Sequence, residues 1–233
     1  MRGLHLLKFR FRRAGRDAKP TFFLHIPKCA GSTLWEVIWD IYGTRNVYLA
    51  KSKEHHARLA AMPLEKRRGY SAIGGHGSLR FFRNMLGDMD RYHKITTLRD
   101  PIDRVISEYN YIHTRPQHRL NAVVAAQGFE GFIENTVQAN RQVKLLTGQP
   151  DDVEGAVETV EKFFDDWCLS NDVALMTERL YEVTGTKARP PAHKNRATSA
   201  FSRRDLPPAM LRVVEEQNRY DLALIEALRS ARP

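Results

Sequence analysis

Three short stretches of this chain carry residue types suited to holding anions or moving a proton. The first is TFFLHIPKCAGST (21–33), where Lys28 leads through Cys29, Ala30 and Gly31 to Ser32 and Thr33. Phe22, Phe23 and Leu24 favour a strand that Pro27 stops, and Ser32 and Thr33 suit the start of a helix. A helix N-terminus offers unpaired backbone N–H groups and a partial positive charge, so phosphate or sulfate is held naturally there. Gly31 lets backbone approach an anion closely, Lys28 adds an ammonium, and two hydroxyls add donors. An ordinary capped turn with a solvated Lys28 accounts for the same residues.

The second stretch is HKITTLRDPIDRVISEYNYI (93–112). Ile95–Leu98 reads as strand, Asp100 as an N-cap with Pro101 at the first helical position, and Asp103 as a variant of the capping box. Arg99 and Ser107 supply a planar fork and a neutral donor, the pairing a phosphate accepts well. The plain alternative is a well-capped helix with Arg99 and Arg104 as surface charges. In the third, GGHGSLRFF (74–82), His76 follows a strand and stands between two glycines in an open turn. Its imidazole titrates near neutrality, although an ordinary loop histidine fits the pattern as well.

The loop HIPKCAGST resembles the 5′-phosphosulfate loop of sulfotransferases, in the HIPK form of the carbohydrate branch that includes the heparan sulfate 2-O-sulfotransferases. Cys29 stands where that pattern has threonine, which removes one hydroxyl contact and leaves the backbone contacts. Arg99-Asp100-Pro101 with Ser107 resembles the family's 3′-phosphate motif, R-D-P-x-x-R-x-x-S. The resemblance implies that the loop 28–33, Arg99 and Ser107 bind 3′-phosphoadenosine 5′-phosphosulfate (PAPS). The product would be 3′-phosphoadenosine 5′-phosphate (PAP). GGHGSLRFF is similar to the family segment whose histidine is the catalytic base, so His76 is expected to take a proton from an acceptor hydroxyl. Lys28 is expected to neutralise charge on the leaving phosphate oxygen. NRQVKLLTG (140–148) is similar to a further family segment, NxQxxxLxG. HKNRATSA (193–200) resembles the late loop over the nucleotide, which nominates Asn195, Arg196 and Thr198; Pro190-Pro191 already predicts coil there.

These residues need a scaffold, and the periodicities describe one. Leu34, Val37, Ile38 and Ile41 form one apolar helical face behind the first loop, and Ile102, Val105, Ile106 and Tyr109 another behind the second. Val47–Ala50, Tyr70–Gly75 and Trp167–Ser170 read as strands. Lys53–Met62, Leu79–Leu86, Phe129–Thr136, Asp151–Phe164 and Asp172–Thr184 read as helices, and helix dominates after Pro207. Strands alternating with helices imply a mostly parallel sheet flanked by helices, an α/β fold with a helical C-terminal part and its loops at the carboxyl ends of strands. The family equivalent is the P-loop-like sulfotransferase fold.

At 233 residues, with 42% hydrophobic and 27% charged residues, one globular domain over 20–230 is expected behind a basic tail at 1–19. The tail alternates Phe9 and Phe11 with Lys8, Arg10, Arg12 and Arg13. It reads as a frayed terminus, with a short edge strand or weak membrane-surface contact as alternatives. No apolar run approaches a bilayer span, and the anchor of the family's Golgi members is not evident, so a cytoplasmic, bacterial enzyme is expected. Cys29 and Cys168 make no disulfide framework, and no HExxH or paired-cysteine pattern calls for a metal.

The net charge of +10 suits a polyanionic cofactor. The expected activity is transfer of a sulfuryl group from PAPS to a hydroxyl, with a glycan as the family's acceptor; no nucleic-acid partner is expected, and the residues set no oligomeric state. One rival is a kinase-like nucleotide phosphotransferase, disfavoured because the lysine precedes the glycine and G-x-x-x-x-G-K-[ST] is missing. The other is a non-catalytic polyanion binder, disfavoured because Lys28 and Arg99 lie in two separate anion loops.

Overall fold

The computed structural model describes residues 7–8, 18–135, 138–188 and 201–231. Strand β1 (Leu7–Lys8) precedes β2 (Thr21–Leu24), helix α1 (Gly31–Tyr42), β3 (Val47–Ala50), α2 (Lys53–Ala61) and α3 (Leu64–Arg68). Next come β4 (Ala72–Gly75), α4 (Leu79–Leu86), β5 (His93–Leu98) and α5 (Pro101–His113). The remainder is α6 (Asn121–Asn135), α7 (Arg141–Thr147), α8 (Val153–Glu158), β6 (Asp166–Leu169), α9 (Val173–Thr184), α10 (Pro208–Gln217) and α11 (Arg219–Ser230).

The sheet order is β1-β6-β5-β2-β4-β3, parallel throughout except that β1 runs antiparallel to β6. Leu7 and Lys8, which fall in the expected frayed terminus, instead form an edge strand paired with Cys168 and Trp167. Chain order reverses at β2: β3 and β4 lie to one side, β5 and β6 to the other. The loops after β2 and β5 therefore leave neighbouring strands at the switch point where open α/β sheets bind ligands.

Side-chain alternation along β2 feeds both faces. Phe22 and Leu24 pack with Ile73, Phe82, Val143 and Leu224, whereas Phe23 packs with Leu34, Trp35, Ile95, Met176 and Leu180. A third cluster joins α5, α6 and α10 through Val105, Tyr109, Phe132 and Val214. Asp100 caps α5 as expected, its Oδ1 accepting from Ile102 N at 3.0 Å and Asp103 N at 3.2 Å.

Near the start of β5 the core is ionic. His93 Nε2 lies 2.6 Å from Asp166 Oδ2, which also faces Arg179 Nε at 3.5 Å, and Lys94 Nζ lies 3.4 Å from Asp165.

Several elements differ from their sequence expectation. The helix expected over Phe129–Thr136 is the second half of α6, which breaks at Gly128 with φ 63 and ψ −155. The stretch expected as one helix over Asp151–Phe164 is α8 followed by a wider turn at Thr159–Phe163, with i→i+5 geometry. Helix α3 has a charged sequence, LEKRR, without the periodicity that marks a buried face. Among the described residues no helix is long and apolar enough to cross a membrane.

Candidate active site

The loops after β2 and β5 meet. Arg99, at the end of β5, donates from Nη1 to the backbone carbonyl of Lys28 at 3.1 Å. Lys28 and Ala30 both have left-handed backbone, φ 71 and 61, which turns the loop into a concave cradle ahead of α1. No side chain caps α1 and no acidic residue stands in its first turn; Thr33 N already donates to Ala30 O at 3.2 Å, and the other N–H groups of that turn have no intrahelical acceptor. Ser32 is exposed and Thr33 half-buried on that first turn. These features fit an anionic group in the cradle.

Cys29 faces the other way. It is fully buried, its N–H donates to Ile26 O at 3.3 Å, and its carbonyl accepts from Thr97 Oγ1 at 2.6 Å. Burial pushes its thiol up to about 12. The residue therefore fastens the cradle to β5 from beneath and is no oxidant-sensitive thiolate.

Gly31 has a reason the sequence did not reveal. A Cβ built there would fall 2.0 Å from the imidazole of His25, so the missing side chain makes room for that ring. His25 Nδ1 accepts the indole N–H of Trp35 at 3.2 Å, and His76 Nε2 approaches the same nitrogen at 3.1 Å. Gly75 directs the chain into His76: with φ 136, it brings β4 so near β3 that a Cβ would lie 2.1 Å from Ala50 O. Burial is the main reason that His25 is lowered to about 3 and His76 to about 4. Both rings are neutral at physiological pH, and His76 can accept a proton.

Lys28 is lowered to about 8, chiefly by burial and further by Arg115 and Arg99, while Glu108 opposes the shift. Glu108 on α5 accepts from Arg104 Nη1 at 2.9 Å and from Arg141 Nη1 at 3.1 Å. Arg104, a surface charge on the plain alternative reading of this helix, is fully buried and also donates to Gln138 O, so it serves as a strut within the second motif. Ser107 lies half-buried on α5, about two turns beyond Arg99.

The sequence offers no role for Glu108, Tyr111, Arg141 or Gln142. Gln142 Oε1 accepts the N–H of Arg99 at 2.9 Å, and its Nε2 donates to Arg99 O at 2.9 Å. The thiol of Cys29 lies 3.7 Å from the same Oε1. Asp221 accepts from Gln142 N and Val143 N, and Asn140 Oδ1 accepts from Tyr220 N and Asp221 N. The segment 140–143 is therefore a clasp between both loops and α11. Its only sequence signal was the similarity of NRQVKLLTG to a family segment. Asn195, Arg196 and Thr198 lie outside the described residues. Among the described residues no group of histidine, cysteine or carboxylate side chains could hold a metal.

The profile of the Sulfotransferase family matches residues 15–184. The chain belongs to that family, and its class is that of a sulfotransferase enzyme. In fold it is similar to mouse sulfotransferase SULT7A1, solved in complex with PAP. That likeness has a TM-score of 0.51 and 15% identity over 94% of this chain and 90% of that one. It is also similar to a sulfotransferase from Alicyclobacillus acidocaldarius, with a TM-score of 0.46 and 16% identity over 91% of this chain and 96% of that one. No curated protein matches the sequence.

Proposed function

We propose that this enzyme transfers the sulfuryl group of PAPS to an acceptor hydroxyl, with Lys28 at the phosphosulfate and His76 as the base. The observation that carries this reading is the bond between Arg99 and Lys28, which unites two anion loops in one site. PAPS supplies an activated sulfuryl group on a good leaving phosphate. The N-terminal N–H groups of α1, with Ser32 and Thr33, hold the 5′-phosphosulfate, and Arg99 with Ser107 holds the 3′-phosphate. The resemblance of HKNRATSA to the family's late loop nominates Asn195, Arg196 and Thr198 as further nucleotide contacts. His76 takes the hydroxyl proton as the acceptor oxygen bonds to sulfur, and Lys28 neutralises the charge left on the phosphate oxygen. A glycan is the proposed acceptor class, on the strength of the carbohydrate-branch resemblance.

Calorimetry with PAP and with adenosine 5′-phosphate tests the donor. PAP should bind at least ten times more tightly, because only it carries a group for Arg99. Equal affinity for the two nucleotides would overturn the donor assignment. Transfer from labelled PAPS should persist in excess chelator, whereas loss restored by magnesium would favour a phosphotransferase.

A further inference from the structure

We propose that His25 and Trp35 form a positioning pair that keeps a proton on Nε2 of His76 and leaves Nδ1 as the atom that accepts the acceptor's proton. This rests on the reading of His76 as the base. An indole N–H can only donate, and that of Trp35 points at Nδ1 of His25 over 3.2 Å. Nδ1 of His25 is therefore a lone pair, and the proton of this neutral ring lies on Nε2. Nε2 of His76 faces the same lone pair at 3.1 Å. Two lone pairs would repel at that distance, so His76 presents an N–H there. A neutral imidazole has one N–H, which leaves Nδ1 of His76 as its proton acceptor.

The surroundings hold this arrangement. His25 stacks on Phe23 with ring centroids 5.4 Å apart and planes 10° from parallel, and its other edge fills the space over Gly31. Trp35 is buried on α1 and packs against Phe23, so the donor is fixed as well. The charged and titratable groups acting on His76 are Lys51 beyond β3, His56 on α2, Arg141 on α7, and its neighbour His25. Those acting on His25 are His76, Lys28 and Arg141. Among these no carboxylate competes to choose the tautomer; the competing acceptor is the Lys51 backbone carbonyl, which bonds the His76 ring, and a protonated Nδ1 in the spectra below is the outcome in which it prevails over His25. The Lys51 carbonyl favours the charged ring of His76, which suits the state after proton uptake. In the transfer step the acceptor O–H bond breaks and an N–H bond forms at Nδ1. The oxygen's electron pair bonds to sulfur, and the bond from sulfur to the leaving phosphate oxygen breaks with its electrons going to PAP.

Long-range proton–nitrogen spectra of the ¹⁵N-histidine-labelled full chain, without donor or acceptor, read the tautomer directly, with His76→Ala supplying the assignment. His76 should show a protonated Nε2 and a bare Nδ1. His25→Phe keeps the ring but removes the lone pair. It should convert His76 to a tautomer mixture and lower turnover roughly 10- to 10³-fold, with PAP affinity kept within about twofold. His25→Asn, whose Oδ1 can accept from both donors, should restore most of the turnover. A protonated Nδ1 on His76 in the parent enzyme, or an unchanged tautomer and turnover in His25→Phe, overturns the proposal. Full turnover in His76→Ala would overturn the base reading and with it the catalytic half of the proposal; the tautomer spectra separate that failure from a failure of the pairing itself.

Discussion

The ammonium of Lys28 rests 3.9 Å from the centroid of the Tyr111 ring, and the guanidinium of Arg115 lies 3.7 Å from the same centroid. Lys28 is thus held by an aromatic face, with a worth of about 0.5–2 kcal/mol, less than a desolvated polyanion offers. Its charge stays available. Because Lys28 titrates at about 8, kcat/KM should fall as pH rises through that value, and Lys28→Arg should shift this limb upward. Lys28→Ala should weaken nucleotide binding and slow the chemical step together. A pH profile with no alkaline limb near 8 would count against Lys28 at the phosphosulfate.

His76→Ala should behave differently. Nucleotide affinity should stay nearly intact while turnover drops roughly 10²- to 10⁴-fold. With His76 lowered to about 4, the acid limb of the parent's kcat/KM should lie near pH 4, well below that of a free imidazole, and vanish in the alanine variant. Titration of PAP into each variant, together with the pH–rate profiles, separates the two residues.

Arg99→Ala should weaken PAP far more than adenosine 5′-phosphate. A charge-assisted contact is worth about 1.5–3 kcal/mol, hence roughly ten- to a hundredfold in affinity. Ser107→Ala should lose less, since a neutral donor is weaker. An equal loss for both nucleotides would remove Arg99 from the 3′-phosphate.

Gln142→Leu should be destabilising as well as slow. It strips two bonds from the backbone of Arg99 at a fully buried position, a loss of about 2–4 kcal/mol. Urea unfolding measures it, and a change below about 0.5 kcal/mol would show that the clasp contributes little.

Stability should also decline in mild acid. His25 and His76 are lowered in the folded state to about 3 and about 4, so the unfolded chain binds more protons between those values and its ordinary imidazole pKa of 6.5. Their contribution is complete above pH 6.5 and is lost as pH falls toward 4 and 3. His25→Phe should flatten that part of the stability curve, and urea midpoints at pH 7, 5.5 and 4.5 would reveal the change.

The sequence carried the parts of this site that are local. Strand β2, the Asp100 cap with Pro101, and helix α4 from Leu79 to Leu86 are set by neighbours within a few residues, and the structure forms them as read, whereas α1 starts at Gly31 without the side-chain cap that Ser32 and Thr33 suggest. The parallel sheet followed from strands alternating with helices. The clasp did not, because Gln142, Asn140 and Asp221 meet across about 80 residues, and no spacing rule reaches that far. The sequence leaves open a plain surface-charge reading of Arg104, because its partner Glu108 gives no sign there of being half-buried beside Arg141. In the sequence Gly31 suits close approach of backbone to an anion, and in the structure a Cβ there would meet the ring of His25. That contact depends on how a side chain turns at the end of its own strand.

Strand β5 carries Arg99 at its exit and His93 at its entry, with Asp166 and Arg179 gathered around the latter. Six residues of strand, roughly 20 Å, separate the two ends. Durability and chemistry can therefore drift apart over generations. A lineage moving to hotter or saltier surroundings can rework the ionic end while the transfer apparatus stays as it is, and a lineage changing acceptor can rework the exit loops on an unaltered foundation.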